Sequence, residues 1–321
     1  MTTIVFADLA FAQSQYVKFE KIENLEGQLA AAEKSSVQIN IETEDGVGHC
    51  TGTFISNEGL LLTARHCLFD GCLIPMLSTP EKPFDAVVTY PYENFFQGKT
   101  CRIQITGFDY EDAEIIAIGG KGFVDLNKEE GQNFESLILQ RRPKLYKKWS
   151  DEGYFLEGDY IVLRVDKSRS RSCAKLSSAE KNAVQPVTLF SYPMPTERPS
   201  GDNSDGKGKF MSLGQTKLDY KNECTNYNLG TIQRSATDLL FSSDAYLFLT
   251  ADGVSGSSGA AVFNNNGEII GIFSGSKNNV KKECVGSTLA VNSKAILESV
   301  DKQIDNATRA EIAKCGIKTE I

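Results

Sequence analysis

The chain has 321 residues, 40% of them hydrophobic and 24% charged, with a formal net charge of -8 at pH 7. That is enough apolar material for one large core or two small ones, and the acidic balance disfavours a partner built on a phosphate backbone. No stretch is long and apolar enough to read as a transmembrane span. Residues 1–13, MTTIVFADLAFAQ, carry an apolar run ending in small residues before Gln13, which resembles the tail of a secretory signal. The basic leading region is missing and Asp8 interrupts the run, so an ordinary strand or short helix is the alternative. Residues 14–35 are polar and rich in Ala and Glu, a composition that allows a short helix before the first strand, SVQINIET.

Residues 50–67, CTGTFISNEGLLLTARHC, read as strand, turn at SNEG and strand, ending on His66 and Cys67. A Pro- and aromatic-rich stretch over 73–96 precedes two strand-like runs, CRIQITGF and DAEIIAIGG. The polar insertion over about 120–157 contains QRRPKLYKKWS, which reads as a solvated surface run, with an acidic partner as the alternative. It ends at EGDYIVLRVD, where Asp159 stands directly before an apolar strand. RSRSCAKLSSAEKN has the composition of a linker, PVTLFSYPMP reads as a strand closed by prolines, SGDNSDGKGK as an exposed loop and KFMSLGQTKL as the next strand.

YLFLTADG then leads into residues 253–275, GVSGSSGAAVFNNNGEIIGIFSG: a Gly/Ser-rich turn, an apolar strand, a second turn and a second apolar strand. Glycines on both sides of Ser258 let the backbone turn sharply and present its own N–H groups, which suits a nucleophilic serine. A flexible loop joining two strands is the alternative. After Asn292, apolar residues at Ala295, Ile296, Val300 and Ile304 recur at helical spacing, and NATRAEIAKCG predicts a further helical turn or two with Gly316 as its stop.

The serine stretch resembles the active-serine segment of the chymotrypsin/trypsin-like serine peptidases. Gly256, Ser257, Ser258 and Gly259 match its glycine, any residue, serine and glycine; Ala260 and Ala261 follow, where the family usually has a small residue and then proline. Counting back from the strand VFN puts Ser258, rather than Ser255 or Ser257, in the nucleophile slot. The earlier hairpin is similar to the family's catalytic-histidine segment in Thr63, Ala64, His66 and Cys67, with Arg65 departing from the usual small residue. Asp159 before Tyr-Ile-Val-Leu resembles the family's Asp-x-Ala-Leu-Leu element, with Asp109, Asp112 and Asp166 as fallbacks.

The resemblance implies a triad of His66, Asp159 and Ser258, and an oxyanion hole from the N–H groups of Gly256 and Ser258. It also implies a disulfide between Cys50 and Cys67. Asp252, six residues before Ser258, stands where trypsin-like members bind Arg or Lys, although bacterial relatives often carry an aspartate there as part of the loop. Ser274 and Ser276 are expected as substrate-binding wall residues. No metal or organic cofactor is implied, and the partner is a protein or peptide substrate, with no nucleic acid and no membrane span. Ser257 takes the slot of the aspartate that pairs with a freed amino terminus in trypsin-type zymogens, so that switch is not expected. The resemblance leans toward bacterial-type branches such as the glutamyl endopeptidases and Deg-type proteases, without an appended PDZ-like domain.

The fold class expected is all-β, a chymotrypsin-like double β-barrel with a C-terminal helix packed on the second barrel. Its divisions are 1–35 as signal remnant and extension, 36–175 as first barrel, 176–291 as second barrel and 292–321 as helical tail. An α/β-hydrolase is excluded because it needs its histidine after the serine, while His49 and His66 both precede Ser258. A zinc site at His49, Cys50, His66 and Cys67 is disfavoured because neighbouring strand residues face opposite ways. Disulfide use points to a secreted or periplasmic location, while Cys72, Cys101, Cys173, Cys224, Cys284 and Cys315 cannot be paired from sequence. The oligomeric state stays open. The alternative function is a catalytically inactive homologue acting as a binding or inhibitory module, with Arg65, the missing proline and the insertion in its favour.

Overall fold

The computed structural model describes residues 20–21, 25, 27–43, 46–68, 100–106, 110–119, 159–165, 171–177, 184–193, 209–217, 246–251, 253, 256–276 and 288–315. The signal-like residues 1–13, the 120–157 insertion, Asp109, Asp166, Asp252, Ser255 and Gly316 lie outside them.

The described chain starts with a two-residue strand β1 (Glu20–Lys21) and helix α1 (Gly27–Ser35). Strands β2 (Ser36–Thr43), β3 (Gly46–Phe54), β4 (Leu60–Thr63), β5 (Thr100–Ile105), β6 (Tyr110–Ile118) and β7 (Ile161–Arg164) then close into an antiparallel barrel in the order β2-β3-β4-β7-β6-β5. The β3–β4 turn forms because the Ser56 hydroxyl accepts the amides of Glu58 and Leu60, and because Gly59 takes the positive φ of 97° that closes it. The following run Leu60-Leu61-Leu62 is buried on both faces. One face fills the barrel, while Leu60 and Leu62 join a core that also contains Phe190, Phe263, Ile272 and Ile296 from the second half of the chain. A continuous apolar run is what a strand buried on both faces requires.

The second half repeats the architecture. Strands β8 (Pro186–Ser191), β9 (Phe210–Lys217), β10 (Tyr246–Leu249), β11 (Ala261–Phe263), β12 (Ile269–Ser276) and β13 (Thr288–Asn292) run in the order β9-β10-β13-β12-β11-β8, and β8 pairs back onto β9 to close the ring. Alternation sorts the side chains. Val187, Leu189, Val262, Ile270 and Phe273 fill the barrel. Phe190 and Phe263 point the other way, into the seam between barrels, with ring centroids 5.6 Å apart. The expected all-β double barrel is therefore the fold of this chain.

The two ends of the described chain are stitched across the seam. β1 pairs with β9 of the second barrel before the chain enters the first. At the other end, α3 (Ser293–Val300) is capped by Asn292, whose side chain accepts the Lys294 amide at 2.8 Å, and buries Ile296 and Val300 in the seam core. Helix α4 (Asn306–Lys314) falls in the further helical stretch expected at NATRAEIAKCG, and it docks on the first barrel. Its Glu311 is buried, holding Arg164 of β7 at 2.8 Å and accepting the Ser56 hydroxyl at 2.5 Å. Directly after α4, Cys315 is disulfide-bonded to Cys173 in the linker, 142 residues earlier. The linker is itself fixed to both barrels, since Ala174 donates to the Phe54 carbonyl and Ser177 to the Ile269 carbonyl.

Candidate active site

Strand register brings the candidate residues to one place. Thr63, the last residue of β4, lies opposite Ile161, the first residue of β7. In an antiparallel pair, the residues that follow one partner and precede the other leave the barrel at the same end. His66 and Asp159 are those residues. His66 begins a single helical turn, α2 (His66–Leu68), closed by the Leu68 amide on the Arg65 carbonyl. The Cys50–Cys67 disulfide, with Cα atoms 6.2 Å apart, fastens that turn to β3, so the pairing implied by the resemblance is present.

Ser258 reaches the same end from the second barrel. Gly256 and Gly259 bracket it with φ of 92° and 82°. A side chain on Gly259 would come within 2.1 Å of Thr63 Oγ1 and 2.3 Å of the Thr51 carbonyl, so only glycine lets the turn press against β3 and β4. The Thr51 amide donates to the Ser258 carbonyl at 2.8 Å, and the Thr51 hydroxyl donates to the Gly256 carbonyl at 2.8 Å. Cys67 Sγ lies 3.7 Å from the Ser258 carbonyl, placing the residue after His66 directly against the serine turn.

Asp159 is 1% exposed, and its Oδ2 accepts a hydrogen bond from the Ser274 hydroxyl on β12. A carboxyl group this deeply buried needs hydrogen-bond partners of this kind. Ser274 thus turns its side chain inward onto the acid, a role that strand position alone did not signal. Ser276 ends β12. Asp112, a fallback for the acid, is exposed on β6.

Three further features surround this junction. Arg65 is buried and donates to the Gly119 carbonyl, so the departure beside His66 is accommodated as a hydrogen-bonded cation. The neighbouring Ile118 is bracketed by Gln303, which accepts its amide and donates to its carbonyl, both at 3.0 Å. The C-terminal segment therefore supports the strand end that holds Arg65. Tyr160, next to Asp159, faces Ser299 and Gln303, and burial pushes its phenol up to about 12. Ser257 is fully buried and donates to the Ser191 hydroxyl at 3.1 Å, so a neutral bond to β8 occupies the position discussed above for a zymogen aspartate. His49 faces away in a polar ladder, its Nδ1 2.7 Å from Asn40 Oδ1. Among the described residues no group of three or more His, Cys, Asp or Glu could hold a metal ion, and the Cys50 and Cys67 sulfurs are spent on each other.

Residues 50–272, from the cysteine before the histidine hairpin to the strand after the serine turn, match the family model of the trypsin-like peptidase domain. The chain belongs to the trypsin-like peptidase family. This peptidase is a serine endopeptidase, and its substrates are proteins. No curated relative matches it. Among solved structures, it is similar to the serine endoprotease from Yersinia pestis, at 13% identity and a TM-score of 0.47, covering 89% of this chain and 69% of that one. It is also similar to Rv3671c from M. tuberculosis H37Rv in an inactive form carrying a serine-to-alanine substitution, at 12% identity and 0.44, covering 86% and 90%. A third is the HtrA-type protease AlgW with a tripeptide, at 14% identity and 0.47, where 87% of this chain spans 63% of that chain.

Proposed function

We propose that the peptidase cleaves peptide bonds through a triad of His66, Asp159 and Ser258 and an acyl-enzyme. Ser258 Oγ attacks the scissile carbonyl while His66 takes its proton. Asp159 orients the imidazole and stabilises the imidazolium, and the N–H groups of Gly256 and Ser258 stabilise the oxyanion. His66 then returns the proton to the leaving amine, and water releases the acyl group by the same route. The observation that carries this reading is the convergence of three segments: the Ser258 turn is bonded to Thr51 at the barrel end from which the His66 turn and buried Asp159 emerge.

Asp252 would favour cleavage after Arg or Lys by pairing its carboxylate with the basic side chain. An exported, oxidising compartment fits two disulfides, one beside the site and one locking the tail. The test is labelling of the oxidised protein with a fluorophosphonate probe, which reacts only with an activated serine. Wild type and Ser255→Ala are expected to label, and Ser258→Ala is not. Folded wild type that stays unlabelled would favour the inactive-homologue alternative. A peptide library then tests Asp252→Ser, which is expected to lose preference for Arg and Lys while retaining labelling.

A further inference from the structure

We propose that Thr51 is a positioning residue for the nucleophile turn: its hydroxyl holds the Gly256–Ser257 peptide plane and its amide holds the Ser258–Gly259 plane, so that the Ser258 side chain stays aimed at the substrate. The inference rests on the reading of Ser258 as the nucleophile. It starts from peptide planarity: pinning a carbonyl also points the N–H of the next residue the opposite way. Three successive carbonyls in this turn are pinned. The Gly256 carbonyl accepts the Thr51 hydroxyl at 2.8 Å. The Ser257 carbonyl accepts the Ala260 amide at 3.0 Å, and the Ser258 carbonyl accepts the Thr51 amide at 2.8 Å. The Gly259 amide, at the far end of that last plane, donates to the Phe273 carbonyl at 2.9 Å.

Thr51 thus supplies two of the three carbonyl ties, one before Ser258 and one after it, and does so from the opposite barrel. The plane before Ser258 is held by the Ala260 amide and the plane after it by the Thr51 amide, which together set its φ and ψ, while the Thr51 hydroxyl fixes the plane one residue earlier, through which the turn enters Ser257. The Thr51 hydroxyl is itself oriented. It accepts the Tyr192 amide at 3.1 Å, leaving its single hydrogen for the Gly256 carbonyl. Tyr192 is buried, with its hydroxyl on the Ser36 carbonyl at 3.4 Å and Lys209 Nζ 5.5 Å from its ring centroid. Thr51 itself (0% exposed) and Gly256, which accepts its hydroxyl, are buried, so water does not replace that lost tie readily.

The experiment uses the full oxidised chain as wild type, Thr51→Val, Thr51→Ser and Ser258→Ala. Fluorophosphonate labelling is followed to saturation, so that the bond-forming rate constant and the probe's apparent affinity are read separately, beside a thermal melt. Valine keeps the shape and the backbone amide but loses the hydroxyl. The expected result is a bond-forming rate about 10- to 100-fold lower in Thr51→Val, an apparent affinity within about threefold of wild type, and recovery to within about threefold in Thr51→Ser. A folded Thr51→Val that labels at the wild-type rate overturns the proposal, as does a Thr51→Ser as slow as valine, which would make the role one of packing. Should Thr51→Val not fold, Thr51→Ala is read in its place against the same expectations. Hydrogen exchange over residues 256–260 separates this inference from the one beneath it. Faster exchange there in Thr51→Val, with wild type unlabelled, leaves the positioning geometry standing and removes the nucleophile assignment. Unchanged exchange overturns the positioning role itself.

Discussion

Two of the junctions that hold the halves of the molecule together use different chemistry. Around the nucleophile turn the ties from the first barrel are neutral, Thr51 to Gly256 and Ser258, and the turn is held to its own barrel by Ser257 on Ser191 and Gly259 on Phe273. Along the tail they are ionic and covalent: Glu311 with Arg164, and Cys173 with Cys315. The difference follows from what each junction does. A formal charge added within the turn would act on every charge that develops there during reaction, whereas hydrogen bonds between neutral groups fix geometry and leave the field to the reacting groups. Glu311 and Cys315 bind Arg164, Ser56 and the linker rather than the serine turn, so charge-based and covalent ties are tolerated there. Breaking a tail tie is therefore expected to cost stability, and breaking a turn tie to cost rate.

The largest loss of stability is expected from Glu311→Ala. It strands Arg164 and the Ser56 hydroxyl in a buried site, a mechanism worth about 3–5 kcal/mol. Urea unfolding measures it, and labelling per folded molecule should stay near wild type. Replacing Cys173 and Cys315 by serine opens a tie spanning 142 residues and should cost about 2–5 kcal/mol, seen as a lower melting temperature with labelling again little changed. A large fall in labelling without loss of stability in either variant would erase the contrast between the junctions.

Alkaline titration sharpens it next, because Tyr160 faces Ser299 and Gln303 of the tail while the Tyr192 amide bonds Thr51. Burial pushes both phenols up to about 12 from an ordinary value of 10.0. The unfolded chain ionises first as pH rises, so their contribution is complete below about pH 10 and is lost on the way to 12. The slope is at most about 1.4 kcal/mol per pH unit for each tyrosine. Tyr192→Phe should flatten that fall by one tyrosine's share in pH-dependent urea melts. The smallest stability effect is expected for Ser257→Ala, about 1 kcal/mol, from loss of its hydrogen bond to Ser191. Its labelling rate should fall by more than its stability does, and a rate that tracks the folded fraction alone would contradict the assignment of Ser257 to the turn.

Much of this architecture was legible in the chain because it depends on local pattern. The β3–β4 hairpin announced itself by SNEG between apolar runs, and the serine turn by glycines where positive φ was needed. The helix after Asn292 followed from its spacing and cap. What stayed hidden depends on partners distant in sequence. Six cysteines left after the first pair allow fifteen pairings, so nothing local singles out Cys173 with Cys315. Helix α4, NATRAEIAK, has no apolar stripe, and its buried residue is a glutamate that makes sense only beside Arg164. Ser274 looked like a wall residue because alternation says which face a strand residue takes, not what meets it there. Thr51 was in plain view within CTGTF, but its work is defined by a turn more than 200 residues later.

The crossed stitching at the ends also dictates an order of events during synthesis. Arg164 is made 147 residues before Glu311, and β1 must wait for β9. The first barrel therefore leaves the ribosome with an ionic partner missing, and the short strand β1 ahead of it without its neighbour. Its Arg164 pair, like the serine turn of the second barrel, arrives only when the far half of the chain has emerged.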